Sequence, residues 1–220
     1  SNKALEPFKA VQFDLGLEWY FQPGAVAGVS LFRKNVDNFT VPVVRDQQMN
    51  VGGQSVTVQK YETHANGRDG VSQGVELYGQ YTFDFGLGVQ ANYTYNDTNL
   101  ASIVLDGEEI GSSPLVGSAK NQANVTVFYE NDKFLARASY NRRGEVVGGL
   151  NNGMTTYTKP YSQLDLNVAY NLTPDWTVTA AVLNATKSEL RSYIGNDSQA
   201  RLLSNLYAGR QLYFGVNWKF

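Results

Sequence analysis

Gln211-Leu212-Tyr213-Phe214-Gly215-Val216-Asn217-Trp218-Lys219-Phe220 reads with a period of two. Leu212, Phe214, Val216, Trp218 and Phe220 form an apolar row, and Gln211, Tyr213, Gly215, Asn217 and Lys219 a more polar one. Successive side chains of a strand point to opposite faces, so this stretch is a strand with one apolar and one polar side.

The same grammar recurs along the chain. Phe13, Leu15, Leu17, Trp19 and Phe21 alternate with Asp14, Gly16, Glu18 and Tyr20. Further apolar rows run through Val75–Phe83, Leu87–Tyr95, Ala123–Tyr129, Phe134–Tyr140, Leu164–Tyr170 and Trp176–Val182, with a weaker one over residues 25–35. The chain is therefore all-β, with about nine strands of roughly ten residues each. At about 3.4 Å per residue and a tilt near 45°, ten residues cross the apolar core of a bilayer. Soluble strands average about five or six.

Composition narrows the function. In 220 residues, 18 Lys and Arg stand against 20 Asp and Glu, a net charge of -2 that leaves no basic excess for a phosphate backbone. Nucleic acid is not an expected partner. The absence of cysteine excludes disulfides, thiolate metal sites and a thiol nucleophile, and a single histidine, His64, excludes a His-rich metal site and argues against a Ser-His-Asp triad. No paired carboxylates form an acid–base set, and the glycine-rich stretch Gly144–Gly153 opens no helix that would hold phosphate. Neither catalysis, nor a resident cofactor, nor a metal is expected. No run reaches the roughly 20 apolar residues of a membrane-crossing helix, which leaves a membrane β-barrel open. Ser1-Asn2-Lys3-Ala4 lacks the apolar segment of a signal peptide, which points to a processed or truncated start.

The connections alternate in length. Gln22-Pro23-Gly24, Asp84-Phe85, Asn131-Asp132 and Thr173-Pro174-Asp175 are tight turns, and between them lie long polar loops near 36–70, 97–117, 144–160 and 188–206. Short turns at one end and long loops at the other match an outer-membrane barrel. Two aromatic rows are expected at the interfaces. Trp19, Tyr20, Phe21, Tyr81, Phe83, Phe128, Tyr129, Tyr170, Trp176, Trp218 and Phe220 are assigned to the short-turn side, and Tyr93, Tyr95, Tyr140 and Tyr161 to the long-loop side.

The residues also carry a family resemblance. Leu5-Glu6-Pro7-Phe8-Lys9 followed by Phe13–Phe21 resembles the proline- and glutamate-marked strand of TonB-dependent outer-membrane receptors, although Gln12-Phe13-Asp14 stands where many members carry a Glu. Val71-Ser72-Gln73-Gly74-Val75-Glu76-Leu77 resembles their G-x-E strand opening, Phe83–Tyr95 the next hairpin, Leu183-Asn184-Ala185-Thr186 a late N-L-x-D/N segment, and Tyr207–Val216 with Phe220 their final strand. The resemblance spans residues 1–220 and implies one domain, the C-terminal part of a transmembrane antiparallel barrel of about 22 strands whose plug domain lies outside this chain. It also implies periplasmic short turns, a periplasmic C-terminus, extracellular long loops and a Gram-negative outer-membrane setting. The implied partners are the remaining barrel strands and plug, the TonB complex acting through that plug, outer-membrane lipid and lipopolysaccharide, and a small-molecule ligand.

Candidate ligand-contacting residues lie in or beside the long loops: His64, the acidic group Asp106, Glu108 and Glu109, the cations Arg142 and Arg143, and Tyr157 and Tyr193, whose rings would stack on a sugar. Each also has a plainer reading as a solvated loop side chain. Glu76, Gln80, Gln90, Asn92, Asn124, Arg137, Asp165 and Asn167 belong to the polar rows and are expected to line the lumen or meet the plug. TonB-energised uptake of a scarce nutrient (carbohydrate, siderophore-bound iron or cobalamin) is the leading expectation. A passive porin-like barrel and a soluble β-sandwich carbohydrate-binding module are the alternatives.

Overall fold

The computed structural model describes residues 2–151, 154–195 and 200–220. Strands follow one another as β1 (Lys9–Gln22), β2 (Ala25–Asp37), β3 (Phe39–Val51), β4 (Gln54–Arg68), β5 (Gly70–Thr82), β6 (Leu87–Thr98), β7 (Leu100–Leu105), β8 (Glu108–Pro114) and β9 (Asn121–Glu130). They continue as β10 (Phe134–Arg143), β11 (Val146–Asn151), β12 (Met154–Thr158), β13 (Tyr161–Asn171), β14 (Trp176–Leu183), β15 (Leu190–Ile194), β16 (Arg201–Leu206) and β17 (Gln211–Trp218).

Nine of them make one antiparallel wall in the order β1-β2-β5-β6-β9-β10-β13-β14-β17. These are the nine strands that the alternation marks. Cross-strand pairing keeps each row on its own face. Leu166 lies opposite Ala138 and Val182, and Val182 opposite Leu212. On the other face Asn167 lies opposite Arg137 and Ala181, and Ala181 opposite Tyr213. The wall buries almost nothing against itself. Phe214, for example, is 83% exposed. A sheet with an apolar face this bare is built for an apolar solvent.

The tight turns fall where expected and the sequence explains them. The Asn131 side chain accepts from the backbone N–H groups of Lys133 and Phe134 at 3.0 and 2.8 Å, and Thr173 does the same for Asp175 and Trp176. At this end the rings touch in series. Trp19 meets Phe21, Phe21 meets Tyr81, Tyr81 meets Phe83, and Trp176 stacks on Trp218 with centroids 5.6 Å apart. Tyr93 and Tyr140 lie on the same apolar face toward the other end. Tyr20, Phe128 and Tyr161 depart from the expected rows, because their register puts them on the polar face. Tyr20 donates to Glu18, Phe128 lies 5.9 Å from the Arg137 guanidinium, and Tyr161 donates to Gln163. Adjacent strand residues cannot share a face, so only one of Tyr20 and Phe21 can join the band.

The long segments differ more sharply from expectation. They are not irregular loops but strand extensions above the wall. β3-β4-β7-β8 form one four-stranded sheet and β11-β12-β15-β16 another. The buried apolar cluster lies here, in Val41, Val43, Ala65, Ile103 and Leu105, with Phe39 and Leu150 packed against it. Alternation is masked in this region by Pro42 and the Arg45-Asp46-Gln47-Gln48 run. Pro42 is tolerated because β3 is an edge strand.

A polar staple ties the segment ahead of β1 to this sheet. The buried Asn66 side chain donates to the carbonyls of Glu6 and Asn38 at 3.2 and 3.0 Å and accepts from the Glu6 N–H at 2.9 Å. Asn38 donates to Pro7 O, and Arg68 pairs with Glu6 at 3.0 Å. Asn66→Ala strips the buried Asn38 carbonyl and both backbone groups of Glu6 of this partner and is expected to cost about 2 kcal/mol. Trypsin cleavage after Lys3 in the folded full-length protein is the readout, with faster cutting expected in the variant and unchanged cutting counting against the staple.

Candidate ligand-facing surfaces

Two surfaces carry the polar chemistry, the polar face of the wall and the sheets above it. Cross-strand register places all eight polar-row candidates on one face. Glu76 faces Ser30 and Thr94, Gln80 faces Gln90, and Gln90 faces Thr126. Asn92 accepts from Asn124 at 2.7 Å. Arg137 sits between Phe128 and Asn167. Asp165 accepts from the Gln163 amide at 2.8 and 3.0 Å and from the Asn184 N–H at 2.8 Å. Asn92, Asn124 and Asp165 are thus tied to neighbours within the face.

The same face holds a group that no sequence motif marks. Glu18 accepts from the Tyr20 hydroxyl at 2.5 Å and also from the Tyr78 hydroxyl. Tyr78 reaches it across Gly28, whose missing side chain leaves the room: a Cβ there would lie 2.2 Å from the ring. Alternation shows that Glu18 and Tyr20 share a face, but Tyr78 is 60 positions away and only the β1-β2-β5 order unites them.

The loop candidates do not converge on one site. His64 is exposed in β4 opposite Pro42, and its carbonyl accepts from the Asn2 side chain at 3.0 Å. Asp106 sits in the β7–β8 turn and pairs with Arg45 at 3.2 Å, Glu109 accepts from Ser102, and Glu108 is exposed. The acidic group is thus spread over a turn and a strand. Among the described residues no trio of His, Cys, Asp or Glu is placed to hold a metal.

Arg142 and Arg143 end a wall strand rather than a loop, and consecutive positions point to opposite faces. They cannot grip one anion together. Arg143 is on the polar face opposite Gln122 and Tyr161, with its Nε buried and unpartnered. It lines a cleft of about 380 Å³ with Tyr161, Ser188, Leu190, Leu206 and Ala208, where the wall meets the second sheet.

Tyr157 and Tyr193 are brought together, but not as open sugar platforms. They face each other across β12 and β15 with centroids 5.9 Å apart, and the Lys159 ammonium lies 5.0 and 5.2 Å from the two rings. Tyr157 is buried, so its ring face is already taken. The nearby Arg191 guanidinium donates to Glu189 at 2.7 Å and, with the Asn205 amide, holds that carboxyl below the usual range.

Comparison with known proteins agrees with the architecture. The chain resembles the ferric enterobactin receptor PfeA of Pseudomonas aeruginosa, seen in a variant structure, at 19% identity over 97% of this chain and 31% of that one, with a TM-score of 0.66. It resembles the siderophore receptor PiuA from Acinetobacter baumannii at 17% identity over 96% of this chain and 28% of that one, TM-score 0.63. For the copper transporter OprC the values are 17%, 99%, 32% and 0.61. The chain thus spans about a third of the length of these receptors. No curated protein sequence matches it. The family described as TonB dependent receptor-like, β-barrel matches residues 1–185. With nine antiparallel strands, one apolar face and one polar face, the chain belongs to the TonB-dependent receptor β-barrel family and is part of an outer-membrane receptor barrel.

Proposed function

We propose that the full protein takes up a scarce nutrient across the Gram-negative outer membrane with energy delivered by TonB, and that this chain is the C-terminal part of its barrel. The observation that carries the reading is the division of the wall into a bare apolar face and a polar face, topped at one end only by two built β-sheets. In this reading the apolar face meets lipid, with lipopolysaccharide beyond it. The polar face, including Glu76, Gln90, Asn124 and Asp165, lines the lumen and meets the plug. The sheets stand outside the cell and Phe220 lies in the periplasm. Ligand capture then falls to surfaces that remain open, such as the Arg143 cleft, rather than to the Tyr157–Tyr193 pair. Tyr157 is too covered to stack on a sugar, and carbohydrate and siderophore-bound metal are equally served by the open surfaces.

Two measurements on the full-length protein test this. Val51 stands 61% exposed at the β3–β4 tip. A V51C variant should react with an impermeant maleimide on intact cells, and an N131C variant in a short turn only after permeabilisation. The reverse pattern would overturn the orientation. In planar bilayers the plugged receptor should show no large steady pore, and a steady open conductance would favour a passive porin.

A further inference from the structure

We propose that the free edge of β16 is the docking site for a strand of this same receptor outside the present chain, namely the extracellular extension of the barrel strand that pairs with β17. A pattern within the chain supports this. Above two of the wall pairs joined by a short turn the extensions pair as strands, and above a third they meet in an isolated bridge that leaves β8 and β11 in separate sheets. β4 pairs with β7 above β5 and β6, through Asn66–Val104, Gly67–Ile103 and Arg68–Ser102. β12 pairs with β15 above β13 and β14, through Thr156–Ile194, Tyr157–Tyr193 and Thr158–Ser192. Above β9 and β10, where the extensions β8 and β11 begin, Ala119 bridges to Val146 and the Gly117 N–H donates to Val147 O at 2.9 Å.

β16 is the descending extension of β17 and the last strand of its sheet, with one side unpaired. Its side chains are the wrong ones for an edge left in water. Leu202, Leu203 and Leu206 are 58%, 49% and 62% exposed, on both faces of the strand, and the sequence Arg201-Leu202-Leu203-Ser204-Asn205-Leu206 has no proline and a single charge, with the register shift at Leu203 its one other obstacle to pairing. Natural edges that stay free carry such guards. β17 likewise ends the wall with an open edge, which closure of a family barrel must fill. The strand that fills it rises toward the surface beside β17, so its extension arrives beside β16 in antiparallel sense. The proposed contact is main-chain pairing along β16 with leucine packing above and below. It clamps the seam where the first and last strands of the barrel meet, outside the membrane. It rests on barrel closure and on the extracellular placement of the sheets proposed above, and holds whether or not uptake depends on TonB.

The test uses the full-length receptor, with cysteine placed at Leu206 and, as a free reference, at Val51, which is equally exposed in the chain at 61% against 62%. Labelling by an impermeant maleimide is followed on intact cells and again on the purified, heat-modifiable protein in detergent. L206C is expected to react at least about ten-fold more slowly than V51C in both settings, as a strand-paired position does. L202C, on the opposite face because the register shifts at Leu203, is expected to be slowed in the same way. Equal rates for L206C and V51C would overturn the proposal. Protection on cells that vanishes on purification would also overturn it, since the occupant would then be another molecule.

Discussion

Gly86→Ala is expected to destabilise the barrel by about 4 kcal/mol and to remove most of the heat-modifiable, folded form of the full-length protein. Gly86 ends the β5–β6 turn with φ at +93°, and its N–H donates to Phe83 O while its carbonyl accepts from Glu130 N–H at 2.9 Å. A Cβ would lie 2.1 Å from the Glu130 carbonyl oxygen. Two costs combine, about 1–3 kcal/mol for a side chain in that backbone region and about 1–3 kcal/mol for the collision, because the obstacle is backbone and cannot rotate away. Gly52→Ala supplies the contrast. Gly52 also has a positive φ, +61°, but no atom lies within 4 Å of its Cβ position, so only the smaller conformational cost of about 1 kcal/mol applies. Denaturant unfolding in detergent or liposomes should separate the two variants. Equal effects would mean that the Glu130 contact does not decide the turn.

Leu166→Arg should be nearly as damaging, at about 2–4 kcal/mol, for a different reason. Leu166 is on the apolar face midway along β13, flanked by Ala138 and Val182, with Tyr170 toward the short turn and Leu164 toward the surface. A guanidinium there meets hydrocarbon with no partner within the wall. Gln90→Lys places a charge on the polar face between Gln80 and Thr126 and should stay within about 1 kcal/mol of the parent. Folding yield into liposomes, followed by heat-modifiability, measures both. If Gln90→Lys proved the more harmful of the two, the assignment of faces would be inverted.

Which parts of this molecule a sequence reader can reach follows from the range of the interactions. The wall is legible because period two is local. Leu212, Phe214, Val216 and Trp218 declare their face without reference to any other strand. The opposed directions of Arg142 and Arg143, and of Tyr20 and Phe21, are equally local and follow from counting. The upper sheets are different. β7 is six residues long and gains its meaning only by pairing with β4, where Asn66 meets Val104. The core that results is five side chains drawn from β3, β4 and β7, too sparse to print a pattern on any one of them. The candidate surface fails in the same way. Nothing near Tyr157 says that Tyr193 will cover it, and nothing near Glu18 announces Tyr78, because both meetings depend on strand order.

On the orientation proposed above, the sheets above the wall also decide what the protein offers to an antibody. Along β3 and β4, Val41, Val43 and Ala65 turn inward and only the intervening side chains look out, each beside residues from a neighbouring strand. An antibody raised against a linear peptide from residues 39–44 or 61–68 would learn side chains, Val41, Val43 and Ala65 among them, that the folded protein keeps inward. Gly52-Gly53 and Asp106-Gly107, at the hairpin tips, are the stretches where a continuous epitope and the native surface coincide.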